Sequence, residues 1–294
     1  MICKFYLMLG LFICFAGTAK SQDEKMELNH YKDKLLTQKS LSDDLDSVAS
    51  HHPEWGRTAF QAKQVTGKAK SKIDIKIPDA HKRKLSGEDM YAKAKDGVLM
   101  VGRYYNCGHC NNMHADVMAT AAVLTSDGIC VTNYHVIENF LPSDNARSKL
   151  DSIYFLGGYD GSAYPITEIL SYDKVGDVAI VKVDPRGRKL TAIPLGKAQY
   201  PGAHVRAITH PKGYVYYYSE GVVSNNTINA KEPSTRRMQI TADYAQGSSG
   251  GPIFDEAGNL VGLVSTTHSL LADTSHQMTV KNTIPVEIIR DLFK

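Results

Sequence analysis

The sequence predicts an all-β protein built of barrels. From Val98 onward it breaks into twelve short apolar runs, each bounded by Gly, Asp, Asn or Pro. The runs recur about every 8 to 15 residues, the rhythm of a sandwich or barrel rather than of βαβ units. Helical patterns occur only at the two ends of this region.

Read in order, Met1 to Ala19 comes first, with one cation (Lys4) and an apolar run from Phe5 to Ala16. Gly17 and Ala19 follow at the spacing that a signal peptidase reads, which predicts an export leader, residues 1–19. The apolar run is too short for about 30 Å of hydrocarbon, and no later segment resembles a membrane span. Loss of the leader removes Cys3 and Cys14 and leaves Cys107, Cys110 and Cys130. The expected location is periplasmic or secreted.

Residues 20–85 form a polar extension. Residues 20–56 hold five Lys against eight Asp or Glu, and residues 57–84 hold nine Lys or Arg against two Asp. This pattern predicts a solvated linker with a helix around Met26 to Leu36. Trp55, the single tryptophan, is expected to dock on some surface.

The globular domain, 86–294, opens at Ser86-Gly87-Glu88-Asp89, a helix N-cap followed by acids that suit the positive end of the helix dipole. That helix is expected to end near Lys95. The predicted strands are 98–105, 119–125, 129–133, 152–156, 166–172, 178–183, 204–209, 214–223, 238–242, 252–255, 260–265 and 279–283. The closing segment, 285–293, is apolar at Val286, Ile289, Leu292 and Phe293, a helical period.

The 294 residues allow one two-lobed domain plus the extension, and 43% hydrophobic residues supply a core. A formal charge of +3 is too small to imply a nucleic-acid partner.

Three stretches carry chemistry. Acyl transfer by serine needs a hydroxyl, a base, a carboxylate that orients the base, and donors for the oxyanion. Gly247-Ser248-Ser249-Gly250-Gly251-Pro252 supplies a hydroxyl on a tight turn, with Ser249 as nucleophile and the N–H groups of Gly247 and Ser249 as oxyanion donors. Ile129 to Ile137 places His135 just past an apolar strand, where it can act as general base. Gly176-Asp177 precedes the apolar run 178–183, so Asp177 stands at the lip of a buried strand and can fix the histidine tautomer. This chemistry requires no metal or organic cofactor.

"TNYHVI", "GDVAIVKV" and "QGSSGGPIFDEAGNLVGLVS" together resemble the trypsin-like serine peptidases, most closely the bacterial HtrA-type (Deg) branch. The resemblance runs from about Ser86 to Lys294. It implies two six-stranded antiparallel β-barrels with the site in the cleft between them, and polypeptide substrates. It also places Asp243 at the base of the primary specificity pocket, where a carboxylate favours Lys or Arg at the cleaved position. HtrA-type proteins usually carry a PDZ domain after the catalytic domain; this chain stops at Lys294, so PDZ control is not expected from it. Ser248 stands where animal digestive proteases have the aspartate that receives a freed N-terminus. An activation salt bridge of that kind is therefore not expected. The competing reading is a protease-fold binding protein of little or no activity, with the four tyrosines of 214–218 lining or covering the cleft.

Cys107-Gly108-His109-Cys110 spells a disulfide-isomerase motif, but strands rather than a helix flank it. In an oxidising compartment the expected state is a local disulfide between Cys107 and Cys110. Zinc held by Cys107, Cys110 and His114, with His109 as a further candidate, is the alternative. Haem attachment needs a histidine directly after Cys110, where Asn111 stands. Cys130 is expected to be a buried thiol.

Overall fold

The computed structural model describes residues 34–51, 69–110, 112–138 and 152–294. The leader, Trp55 and the first part of the expected 26–36 helix lie outside them. Among the described residues twelve strands form, one at each predicted run. Strands β1 (Val98–Asn106), β2 (Met113–Val123), β3 (Ile129–Thr132), β4 (Ser152–Gly157), β5 (Ala163–Asp173) and β6 (Val178–Val183) make the first sheet. Strands β7 (His204–Thr209), β8 (Tyr217–Asn229), β9 (Glu232–Ile240), β10 (Pro252–Phe254), β11 (Leu260–Ala272) and β12 (Ser275–Pro285) make the second.

Each sheet is antiparallel and closes on itself, in the orders β1-β2-β3-β6-β5-β4 and β10-β11-β12-β9-β8-β7. Pairing of β1 with β4 and of β10 with β7 completes the two rings. Inside the first barrel, Leu99, Val101, Ala121, Val123, Cys130, Ile169 and Val181 are buried together. Cys130 is fully enclosed, and burial pushes its thiol pKa well up. Inside the second lie Val205, Ala207, Val223, Ile240, Ile253 and Val261.

Several strands outrun their predicted ends. The β8–β9 and β11–β12 hairpins extend beyond the barrel as ribbons whose outer residues are exposed on both faces. Their sequences therefore lack the alternation that reveals a half-buried strand.

Helix α1 (Lys34–His51) differs most from the sequence reading. It is not a solvated linker: Leu41, Leu45 and Val48, at i, i+4 and i+7, are buried against the first barrel. Asp44 pairs with Arg186 and accepts from the Ala163 N–H at 2.7 Å, and the Tyr104 hydroxyl donates to Asp46. The apolar stripe is only three residues wide among acids and serines, which made it read as polar.

Residues 69–85 are also held, as a strap across both barrels. The Lys70 N–H donates to Tyr172 O at 2.7 Å on β5, and Ile73 exchanges hydrogen bonds with Leu292 and Lys294. The His81 N–H donates to Asn259 Oδ1, and the Leu85 N–H to Glu256 O, both on the β10–β11 hairpin. Helix α2 (Gly87–Ala94) follows, with the Ser86 hydroxyl accepting from the Asp89 N–H at 3.0 Å as its sequence predicts. A one-turn helix α3 (Tyr134–Ile137) follows β3, and α4 (Val286–Arg290) closes the chain. Among the described residues no helix is long and apolar enough to cross a membrane.

Candidate active site

His135 and Asp177 are brought into direct contact. His135 sits on α3, at the mouth of the first barrel, because Asn133 ends β3 in an extended conformation and starts the helical turn. Asp177 sits immediately before β6 with φ +60, a left-handed conformation that costs a non-glycine residue about 1 kcal/mol or more. Two bonds hold it there. Its carbonyl accepts from buried Asn133 Nδ2 at 3.0 Å, and its Oδ1 accepts from the His135 backbone N–H at 3.1 Å. The carboxylate then lies 2.9 and 3.0 Å from His135 Nδ1.

Burial alone would raise the Asp177 carboxyl pKa. The bonds and charge of His135, with the Ser265 hydroxyl, outweigh it and hold the group below the ordinary carboxylate range. With Nδ1 committed to Asp177, Nε2 is the ring nitrogen that faces proton exchange.

Ser249 comes from the second barrel, on the turn between β9 and β10. The turn is tied across to the first barrel: the Thr120 N–H donates to Ser249 O at 2.8 Å, and Thr120 Oγ1 donates to Gly247 O at 3.0 Å. Gly250, at φ +77, passes so close to β2 and β3 that a Cβ would lie 2.2 Å from Thr132 Oγ1 and 2.3 Å from Thr120 O. Only glycine fits, and this contact sets where the serine stands. Ser248 is buried, its hydroxyl 3.0 Å from Thr209 Oγ1. Among the described residues, none accepts from the N–H of Gly247 or Ser249.

Ser265, which sequence reasoning passed over, links the two halves. Its hydroxyl donates to Asp177 Oδ2 at 2.8 Å, while its carbonyl accepts from Ser249 Oγ at 3.5 Å. It lies on β11 where the predicted strand ends, and a serine there carries no motif. Arg237 on β9 adds a second tie, donating to Val175 O at 3.2 Å in the loop before Asp177.

Asp243 does not stand as an unpaired acid. Lys281 on β12 pairs with its carboxylate, and its side chain is 74% exposed. Of the four tyrosines expected at the cleft, Tyr216 turns inward, 5% exposed, with its ring 4.8 Å from that of Tyr159 and 4.7 Å from that of His210. Tyr214 and Tyr217 are exposed. His210 is itself buried and accepts from the Tyr216 N–H through Nδ1 at 2.9 Å, a structural role.

Cys107 and Cys110 carry free thiols in this structure, with sulfurs 3.4 Å apart. The His109 N–H, then the Cys110 thiol, draw the Cys107 thiol down to about 6.

Two closed six-stranded barrels with these groups between them make a trypsin-like double-barrel fold. Residues 119–263 match the family described as the trypsin-like peptidase domain. The chain is 28% identical over 186 residues to a probable periplasmic serine endoprotease DegP-like protein of Pseudomonas fluorescens, covering 60% of this chain and 34% of that one. It is 25% identical over 191 residues to the serine endoprotease DegS of Haemophilus influenzae, covering 63% and 51%. The chain thus spans about a third to a half of these relatives' length. In structure it is similar to the HtrA-type protease AlgW with decapeptide, at a TM-score of 0.56 and 18% identity, over 71% of this chain and 68% of that one.

Proposed function

We propose that this chain is an exported serine endopeptidase whose domain, residues 86–294, hydrolyses polypeptides through His135, Asp177 and Ser249. The observation that carries the reading is the His135 Nδ1 to Asp177 carboxylate contact at 2.9 Å, joined to Ser249 through Ser265. The trypsin-like peptidase domain and the serine-protease relatives support it. Export rests on the leader pattern of residues 1–19 and on the periplasmic relative.

In this reading Ser249 Oγ attacks the scissile carbonyl while His135 Nε2 takes its proton. Asp177 stabilises the imidazolium that results and keeps the ring in the tautomer with hydrogen on Nδ1. The N–H groups of Gly247 and Ser249 receive the oxyanion, which neutral amides fixed by the Gly250 contact can do with little reorganisation. His135 then protonates the leaving amine, and water repeats the sequence on the acyl-enzyme.

A fluorophosphonate probe tests this. The protein should be labelled at Ser249 and should cleave casein, and Ser249→Ala should lose both. A folded protein that neither labels nor cleaves is a binding module on a protease fold.

A further inference from the structure

The tip of the β1–β2 hairpin gathers three groups that acyl transfer does not use. Cys107 to Cys110 leave β1 through a turn in which Gly108 has φ +74 and donates its N–H to Asn106 Oδ1 at 2.7 Å. His114 stands across the hairpin from Tyr105. His114 Nε2 is 3.0 Å from Cys110 Sγ, the sulfurs are 3.4 Å apart, and the three ligand atoms all lie within 4.8 Å of one another.

These distances suit one ion shared by the three better than a bond between two. Sulfurs bound tetrahedrally at about 2.3 Å to a single ion stand about 3.8 Å apart. The loop need open only by a few tenths of an ångström. A disulfide requires the pair to close by more than an ångström and leaves His114 without a function there.

The surroundings are those of a ligand set. The His109 N–H points at Cys107 Sγ at 3.4 Å, a donor that favours the thiolate. The Tyr105 ring packs 5.7 Å from the His114 ring, and the Arg103 guanidinium stacks on Tyr105 at 3.8 Å, so the imidazole is supported from one side.

We propose that this hairpin tip is a zinc site, in which the Cys107 and Cys110 thiolates and His114 Nε2 hold Zn2+ and a water or a solute ligand completes the tetrahedron. Two thiolates with an imidazole match zinc's borderline-soft preference and exclude the hard cations. Binding sends the two thiol protons to solvent. Thr120 lies six steps along β2 from His114, about 20 Å of strand. The metal therefore fixes the hairpin end and takes no part at Ser249, so the site stands or falls independently of the peptidase reading.

The test uses the full chain, reduced, stripped with chelator and titrated with zinc, followed by native mass spectrometry, with cobalt as a spectroscopic substitute. About one equivalent of zinc should bind, and cobalt should give near-ultraviolet thiolate charge-transfer and tetrahedral visible bands. Cys107→Ser and Cys110→Ser should abolish both signals, and His114→Ala should weaken binding at least about tenfold. His109→Ala should keep them. Metal-free unfolding midpoints equal to wild type show that the variants fold. The proposal is overturned if the reduced protein binds no zinc in competition with a weak chelator, or if Cys110→Ser and His114→Ala both retain it.

Discussion

Asn133 Nδ2 donates to the Asp177 carbonyl at 3.0 Å, so the residue that starts the His135 helix also pins the strained backbone of the carboxylate that partners it. Asn133→Ala removes a buried hydrogen bond and frees Asp177 to leave its left-handed conformation. The variant should lose about 1 to 3 kcal/mol of stability and at least tenfold in kcat, with KM nearly unchanged. Urea unfolding and steady-state kinetics read the two separately; a stable variant with full kcat contradicts the link.

Asp177→Asn should cost about 10^3- to 10^4-fold in kcat while the fold persists, because an amide stabilises the wrong imidazole tautomer. Circular dichroism alongside peptide hydrolysis tests this. Retention of even a tenth of the activity would argue that the carboxylate does not orient His135.

The same residue predicts an acid limb of stability. A carboxyl whose pKa is lowered on folding contributes stability above its unfolded value of about 3.9, and that contribution is lost as pH falls through the lower folded value. Denaturant midpoints should therefore fall more steeply below about pH 4 in wild type than in Asp177→Asn. Parallel curves would show that another group governs the acid limb. Ser265→Ala should raise the Asp177 pKa by removing one donor, making this acid limb of stability shallower.

Lys281 neutralises Asp243. Cleavage after Arg or Lys should therefore be weak in wild type, and Lys281→Ala should increase the preference for those residues over Ala or Val. A peptide library read by mass spectrometry supplies the ratio. No change between the two proteins would mean that Asp243 lies outside the specificity pocket.

Leu45 on α1 is fully buried against the first barrel. Leu45→Ala should cost about 2 to 5 kcal/mol. A loss under 1 kcal/mol in urea unfolding would mean that α1 docks too weakly to count as part of the fold.

Much of this was legible because strands and turns are local. Each barrel strand carries its own alternation or apolar run, and Gly, Asp and Pro mark its ends, so all twelve are visible before any pairing is known. The contact of His135 with Asp177 was legible for a related reason: each residue sits at a motif with a distinctive neighbourhood. What escaped depends on distant partners. Leu41, Leu45 and Val48 look like scattered apolar residues until a barrel wall meets them. Ser265 becomes notable only beside Asp177, and the Lys281 partner of Asp243 lies 38 residues away. Cys107, Cys110 and His114 were already readable as a ligand set; the register that brings them together lies in the pairing of β1 with β2.

The strap of residues 69–85 has a mechanical consequence. It grips β5 of one barrel, the C-terminal residues, and the β10–β11 hairpin of the other. Proton transfer between the two barrels demands that they stay in register to within a fraction of an ångström. A single nick in this belt would cut one covalent link between the halves while leaving the bonds among His135, Asp177 and Ser265 untouched.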